Sequence, residues 1–277
     1  MFTHDFVRNA YLAGTFIALA CGTVGWLVVL RAQVFAGDAL SHVAFVGAIG
    51  AAVLGLDERI GLFVATVAVA VGMSALGRRG EADDTSIGIM FAWILGIGIL
   101  LITLLGTSSQ GGNGIAATNA LFGSIYALGP GASQIAAGVG LVVSLVLLAG
   151  LRPLVLCTLE GELAAVRGVP VRALGTLFLI ALAVVAAEST QAVGALLLLG
   201  LIAAPAGAAH RLAIRPYRGL ALSAAIAVGS TWGGLALSYE ISSLPPSSAI
   251  IGLAAGCYAA AAVVARWRER PGRLVAR

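Results

Sequence analysis

The chain contains no lysine, and charged residues of every kind fill only 10% of its 277 positions. So little charge excludes the ordinary soluble globular class, whose surface needs far more of it. There are only three cysteines, Cys21, Cys157 and Cys257, and they are scattered without metal-ligand spacing. That excludes a disulfide framework, and each reads as a small apolar packing residue. Enzyme signatures are missing as well: no Gly-Lys-Ser phosphate loop, no paired histidines with an intervening Glu, no Gly-x-Ser-x-Gly elbow. A transport subunit fits these absences better than an enzyme.

What is present is hydrocarbon. The sequence is 60% hydrophobic and its mean hydropathy is +1.04. A membrane-crossing helix uses about 20 mostly apolar residues, so this length has room for roughly eight to ten crossings and no separate nucleotide-binding module. The reading is an all-α, polytopic helical bundle of about eight or nine transmembrane helices, one membrane domain over 1–277. Spans are expected near 10–30, 34–54, 60–77, 87–105, 132–151, 172–187, 191–209, 219–238 and 248–265. "ALAC" at Ala18–Cys21 is loosely like a lipoprotein cleavage site, but the apolar run continues to Leu30, so a retained first helix is expected.

The net charge of +4 rests on sixteen arginines placed in clusters between apolar runs. The positive-inside bias accounts for them without nucleic acid. The tail "RWRERPGRLVAR", 266–277, is then cytoplasmic, and counting back puts Arg211, Arg215, Arg218, Arg152, Arg167, Arg172, Arg78 and Arg79 inside. Of the basic residues, only Arg59 is expected on the external side. The N-terminus is expected outside and the C-terminus inside.

Four stretches hold polar residues that could do chemistry. "VFAGDALSHVAFVGAIGAAVLG" is apolar enough to cross a bilayer, yet places Asp38 and His42 four residues apart, on one helical face. Counted from Arg31 at about 1.5 Å per residue, they lie roughly 10 and 16 Å into the membrane. An ionised Asp there costs on the order of 3 kcal/mol unless protein, water or an ion receives it. Two readings stand side by side: a structural hydrogen bond between the two, or half of a divalent-metal site. Carboxylate and imidazole both suit zinc, manganese tolerates them, and a two-fold axis through two copies would raise two ligands to four.

"CTLEGELAAVRGVPVRA" is a polar insert at the expected cytoplasmic side, a loop over about 152–171. Glu160 and Glu162 complement a helix dipole, and Gly168 followed by Pro170 is a sound stop. A capped surface helix suffices to explain it, and its place also suits docking of a cytoplasmic partner. In "QAVGALLLLGLIAAPAGAAHRLA", Pro205 is expected to kink its span. The preceding Glu188, Ser189, Thr190 and Gln191 read as a tight external turn rather than an entrance lining, and His210 as interfacial. In "RRGEADDTSIGIMFA", Asp83 or Asp84 reads as a helix cap near Thr85.

Taken together, these stretches resemble one family. "GDALSHVAFVGAIGAAVLG" resembles the Gly-Asp-Ala-Leu-Ser-His signature of ABC-transporter permeases for zinc, manganese or iron. "DDTSIGIMFA" is similar to the family's Asp-Thr-Ala-Ile-Gly-Ile-x-Phe stretch, and "LFGSIYAL" to its Leu-Phe-Gly-Asp-Ile segment with Ser124 in place of Asp. "LEGELAAVRGVPV" resembles the Asp-Pro-Glu-Phe-Ala motif: Glu162, Ala164 and Gly168 match, while Glu160 and Gly161 replace Asp and Pro. "QAVGALLLLGLIAAPAGAA" and "GLALSYEISSLPPSSAI" follow the family's later segments, the second with Ser247 for a common Gly. The resemblance covers nearly the whole chain in the expected order.

The resemblance implies a multi-pass bacterial cell-membrane permease subunit of an importer, working as a homodimer. It implies a divalent cargo, zinc favoured and manganese next, and no permanently bound cofactor. A cytoplasmic ATP-binding cassette ATPase would use the ATP, docking on Glu160, Gly161, Glu162, Leu163, Ala164 and Gly168. An extracytoplasmic metal-binding protein would deliver the cargo, with lipid around the bundle and no nucleic acid. Metal would be handled by Asp38 and His42. Two alternatives accompany this expectation: a permease for an iron chelate or cobalamin, and an ion-coupled secondary transporter.

Overall fold

The computed structural model describes residues 4–77, 82–108, 123–213, 215–241 and 243–269. The expected inner arginines Arg78 and Arg79, most of the expected outer loop after Gly106, and the tail from Arg270 lie outside the described residues. Within them the chain forms helices α1 (Asp5–Leu30), α2 (Val34–Val53), α3 (Glu58–Leu76), α4 (Asp84–Ser108), α5 (Pro130–Ala149), α6 (Leu151–Leu159), α7 (Gly161–Val166), α8 (Val171–Val193), α9 (Ala195–Leu212), α10 (Pro216–Glu240) and α11 (Pro246–Glu269). A single 3-10 turn, Ile125–Ala127, precedes α5, and no strand forms among the described residues.

Local chemistry sets several of these boundaries. Asp57 caps α3, its carboxylate accepting the Arg59 amide at 2.8 Å. Pro130 and Pro216 open α5 and α10 at a position where a missing N–H costs nothing. Past α7, Gly168 takes a left-handed φ of 77°. Its amide and that of Val169 turn back to the carbonyls of Ala165 and Ala164, which stops the helix where Gly168 and Pro170 predict.

Among the described residues, eight helices are long and apolar enough to cross a membrane, and the stretch Leu198–Leu212 of α9 is a shorter apolar one. All nine expected spans therefore fall on helices, with one boundary corrected. The turn expected at Glu188–Gln191 is not there: α8 runs on to Val193, and the break comes at Gly194 with φ 93°. Glu188, Ser189 and Thr190 are buried inside the helix. Helix α9 passes through Pro205 and continues to Leu212.

Helix α1 is buried along most of its length, with Ala10, Ile17, Cys21, Val24 and Leu27 all enclosed. All-round burial marks an interior helix, and α5, α8, α9 and α10 surround it. Helix α2 sits beside it among α3, α4, α8 and α9. By contrast α4 and α11 are only 22% buried over their apolar windows, and Trp93 and Ile99 point outward. Those are faces for hydrocarbon. Along the alternating helices, Arg31, Arg152, Arg167, Arg172, Arg211, Arg215, Arg218 and Arg266 gather at one end of the bundle. The other end holds Arg59 and, against the expectation that Arg59 stands there alone, Arg8, which pairs with Asp5 at 3.6 Å.

Small residues let these helices touch backbone to backbone. A Cβ placed on Gly22 of α1 would stand 2.6 Å from Ala224 Cα of α10, with no side chain able to yield. Gly22→Ala is therefore expected to force the two helices apart and cost about 1–3 kcal/mol, as overpacking does. Gly256→Ala on α11, where nothing lies within 4 Å, is expected to leave stability unchanged or raise it slightly, since alanine favours a helix interior over glycine. Thermal unfolding of the two purified variants checks the contrast.

Candidate functional site

Helix α2 carries Asp38 and His42 one turn apart on one face. From its first residue, Val34, they lie roughly 6 and 12 Å along a helix about 30 Å long. Both side chains are half-buried. The register of α2 is pinned by Ser41 between them, fully buried: its hydroxyl oxygen stands 2.7 Å from the Asp38 carbonyl and 3.1 Å from the Ala195 carbonyl of α9, which share its one proton. That ties the face bearing Asp38 and His42 to the chain just past the Gly194 break.

Asp38 lines a cavity of about 260 Å³ between α2 and α4, together with Phe35, Ala39, Asp84, Ile87, Gly88 and Phe91. His42 reaches the same region through Phe91, meeting its ring edge-on with centroids 5.3 Å apart. The cavity thus brings Asp84 toward Asp38. Sequence reasoning assigned Asp84 to helix capping, and it is the first residue of α4. Its second position, on the cavity wall, depends on how α4 packs on α2, which no local spacing reveals. No hydrogen bond joins the Asp38 and His42 side chains, and among the described residues no three His, Cys, Asp or Glu groups gather as a metal site would require. One chain supplies a pair.

At the arginine-rich end, Glu160 separates α6 from α7. Gly161 is half-buried, Ala164 is fully buried, and Glu162, Leu163 and Gly168 are exposed. Leu159 and Val166 are exposed too, Val166 to 86%. A groove of about 330 Å³ runs beside them, walled by Leu159, Glu160, Leu163, Arg152, Arg167 and Tyr217. This is an apolar ledge with basic edges on a helix too short to cross anything.

The opposite end has a larger opening of about 490 Å³, whose walls include Asp57, Glu58, Arg59, Ser124, Thr190 and Gln191. Beneath it Arg59 of α3 donates to Glu188 of α8 at 2.5 Å, with the Glu188 side chain 4% exposed and Arg59 24%. The polar quartet Glu188–Gln191 is therefore partly an inter-helix ion pair, where a surface turn was expected. The only hint in the sequence is that a lone basic residue stands in a set of outer loops with no other Arg or Lys.

An all-α bundle of membrane-crossing helices, a half-buried acid–imidazole pair on an inner helix and an exposed short helix at the basic end together define a multi-pass membrane transport protein. The chain belongs to the ABC 3 transport family, whose model matches residues 3–265. It is 28% identical over 246 residues to the manganese transport system membrane protein MntC of Halalkalibacterium halodurans, covering 88% of this chain and 82% of that one. To the manganese import system permease protein ScaB of Streptococcus gordonii it is 29% identical over 251 residues, 90% of this chain and 88% of that one. Among solved structures it resembles PsaBC from Streptococcus pneumoniae in complex with Fab, with TM-score 0.80 and 26% identity over 94% of this chain and 91% of that one. The protein is a multi-pass protein of the bacterial cell membrane.

Proposed function

We propose that this chain is the permease subunit of an ABC importer that moves a divalent metal ion into the cytoplasm. The observation that carries the reading is the Asp38/His42 pair, unbonded to one another and set against a cavity that also meets Asp84. A half-buried carboxylate inside a bilayer needs a cation or water to receive it. Two copies of the chain about a two-fold axis would set four such ligands around one ion. Such a site holds metal weakly, because conduction requires release as much as capture.

The arginine-rich end is cytoplasmic in this reading, by the positive-inside bias. The ledge from Leu159 through Gly168 then faces a cytoplasmic ATPase, which hydrolyses the ATP while this chain does not. The exposed Leu159 and Val166 there support the docking, and the wide opening around Asp57 and Glu58 at the far end supports entry from an extracytoplasmic binding protein. Manganese is placed first because MntC and ScaB carry it in their names; zinc, which imidazole with carboxylate also suits, comes next. The cavity at Asp38 is lined by two carboxylates, Asp38 and Asp84, with apolar side chains around them. Hard anionic oxygens suit a bare cation better than a chelate or cobalamin.

The test is reconstitution with the partner ATPase in proteoliposomes holding radioactive manganese on the binding-protein side. Uptake that starts with ATP and is reduced by excess unlabelled zinc is the expected result. Uptake that follows an imposed proton gradient and ignores ATP would put an ion-coupled transporter in its place.

A further inference from the structure

We propose that Arg31 is the positioning residue that links the α6–α7 ledge to the Asp38/His42 helix, so that movement at the ledge reaches the metal-bearing face. The inference rests on the permease reading above. Arg31 ends α1 and precedes α2 by a very short turn: Ala32 takes a left-handed φ of 55°, and Gln33 is buried at 5% exposure. The amides of Arg31 and Gln33 hold the turn against the Leu27 and Val28 carbonyls at 2.9 Å each. Such a turn has little slack, and a displacement of Arg31 is passed to the first turn of α2, in which Asp38 follows Val34 by four residues.

Three contacts run from this turn, two to other helices and one to the segment that precedes α4. The Arg31 Nε donates to Thr158 Oγ1 on α6 at 3.0 Å. Thr158 in turn donates its hydroxyl proton to the Leu154 carbonyl at 2.7 Å, which leaves an oxygen lone pair turned to the arginine. The guanidinium carbon stands 4.6 Å from the centre of the Phe178 ring on α8, a side chain with no exposure at all. Gln33 Nε2 donates to the Ala82 carbonyl at 3.3 Å, two residues before Asp84 on the cavity wall. Thr158 itself sits next to Leu159, the first exposed residue of the ledge. A path of packed and hydrogen-bonded groups thus leads from ledge to α2 and α4 without passing through lipid.

An arginine that merely marks the inner edge of a membrane points its charge at water and headgroups. Arg31 instead spends a directional N–H on a hydroxyl of another helix and sets its guanidinium over a buried aromatic ring. Lysine could keep the charge but not the forked donor set that reaches Thr158 from over that ring.

The test uses the whole importer, permease with ATPase and binding protein, in proteoliposomes, with manganese imported and ATP hydrolysed measured in the same sample. Arg31→Lys and Thr158→Val are expected to lower the metal moved per ATP by about tenfold, the scale of losing a hydrogen bond to a charged group. The ATPase rate should stay within about twofold, since the ledge itself is untouched, and Thr158→Ser should behave as wild type. The double variant should lose no more than the worse single, because both remove one interaction. An unchanged ratio in Thr158→Val and Arg31→Lys would overturn the proposal, as would an equal loss in Thr158→Ser. Failure of the permease reading looks different: the wild-type complex itself would then import no manganese on ATP.

Discussion

Replacing Asp38 and His42 together by alanine is expected to abolish metal uptake while leaving the protein folded in the membrane. The two halves of that outcome have separate physical origins. Uptake is lost because the pair is all that α2 supplies, and without it Asp84 is the one carboxylate among the cavity's lining residues, too few ligands to hold an ion even from two copies. Folding survives because the pair contributes little to it: no hydrogen bond joins the two side chains, both are half-buried, and the register of α2 is held by Ser41 to Ala195. Removing a charged carboxylate from a membrane helix in fact relieves a burden of about 2.5–3.5 kcal/mol on insertion scales. The double variant should therefore unfold at the wild-type temperature or slightly above it. Normal manganese uptake by this variant would remove Asp38 and His42 from the transport path.

The same contrast shows which parts of the molecule were legible in the sequence. Runs of apolar residues and their caps are local properties, so α1 to α4 and the stop at Gly168 follow from pattern, composition and turn chemistry. The i, i+4 spacing of Asp38 and His42 is local too. The second position of Asp84, on the cavity wall, is not, because it exists only once α4 lies on α2. Nor could spacing tell that Glu188 to Gln191 continue a helix: a polar quartet between two apolar runs has the composition of a turn. What overrides that composition is a cation on another element, since a buried carboxylate is tolerated only when something opposite compensates it. Arg59 is 129 residues away, beyond the reach of any local pattern. The link from Arg31 to Thr158, 127 residues apart, was hidden in the same way.

Arg59→Ala is expected to be among the most destabilising single changes outside the apolar core. Glu188 would remain inside α8 at 4% exposure, its charge without a partner. Breaking a buried pair from one side costs about 3–5 kcal/mol, because the survivor keeps its desolvation penalty and loses the attraction that offset it. The nearby opening of about 490 Å³ and the quarter-exposed Arg59 side chain give water a route to the site, which sets the expectation at the lower end, near 3 kcal/mol. Glu188→Gln should cost less than Arg59→Ala, since it leaves an arginine that can turn toward Asp57 and Glu58 at the cavity wall. The double replacement Arg59→Met with Glu188→Leu should recover most of the loss, because exchanging a buried pair for packed apolar groups is often neutral. Thermal unfolding of wild type, Arg59→Met, Glu188→Leu and the double variant in one detergent closes a double-mutant cycle, and a coupling energy near zero would show that the pair is not holding α3 to α8. A large coupling energy would mean that the hairpin of α2 and α3, which carries the Asp38/His42 face, is fastened at the far end by this one ion pair.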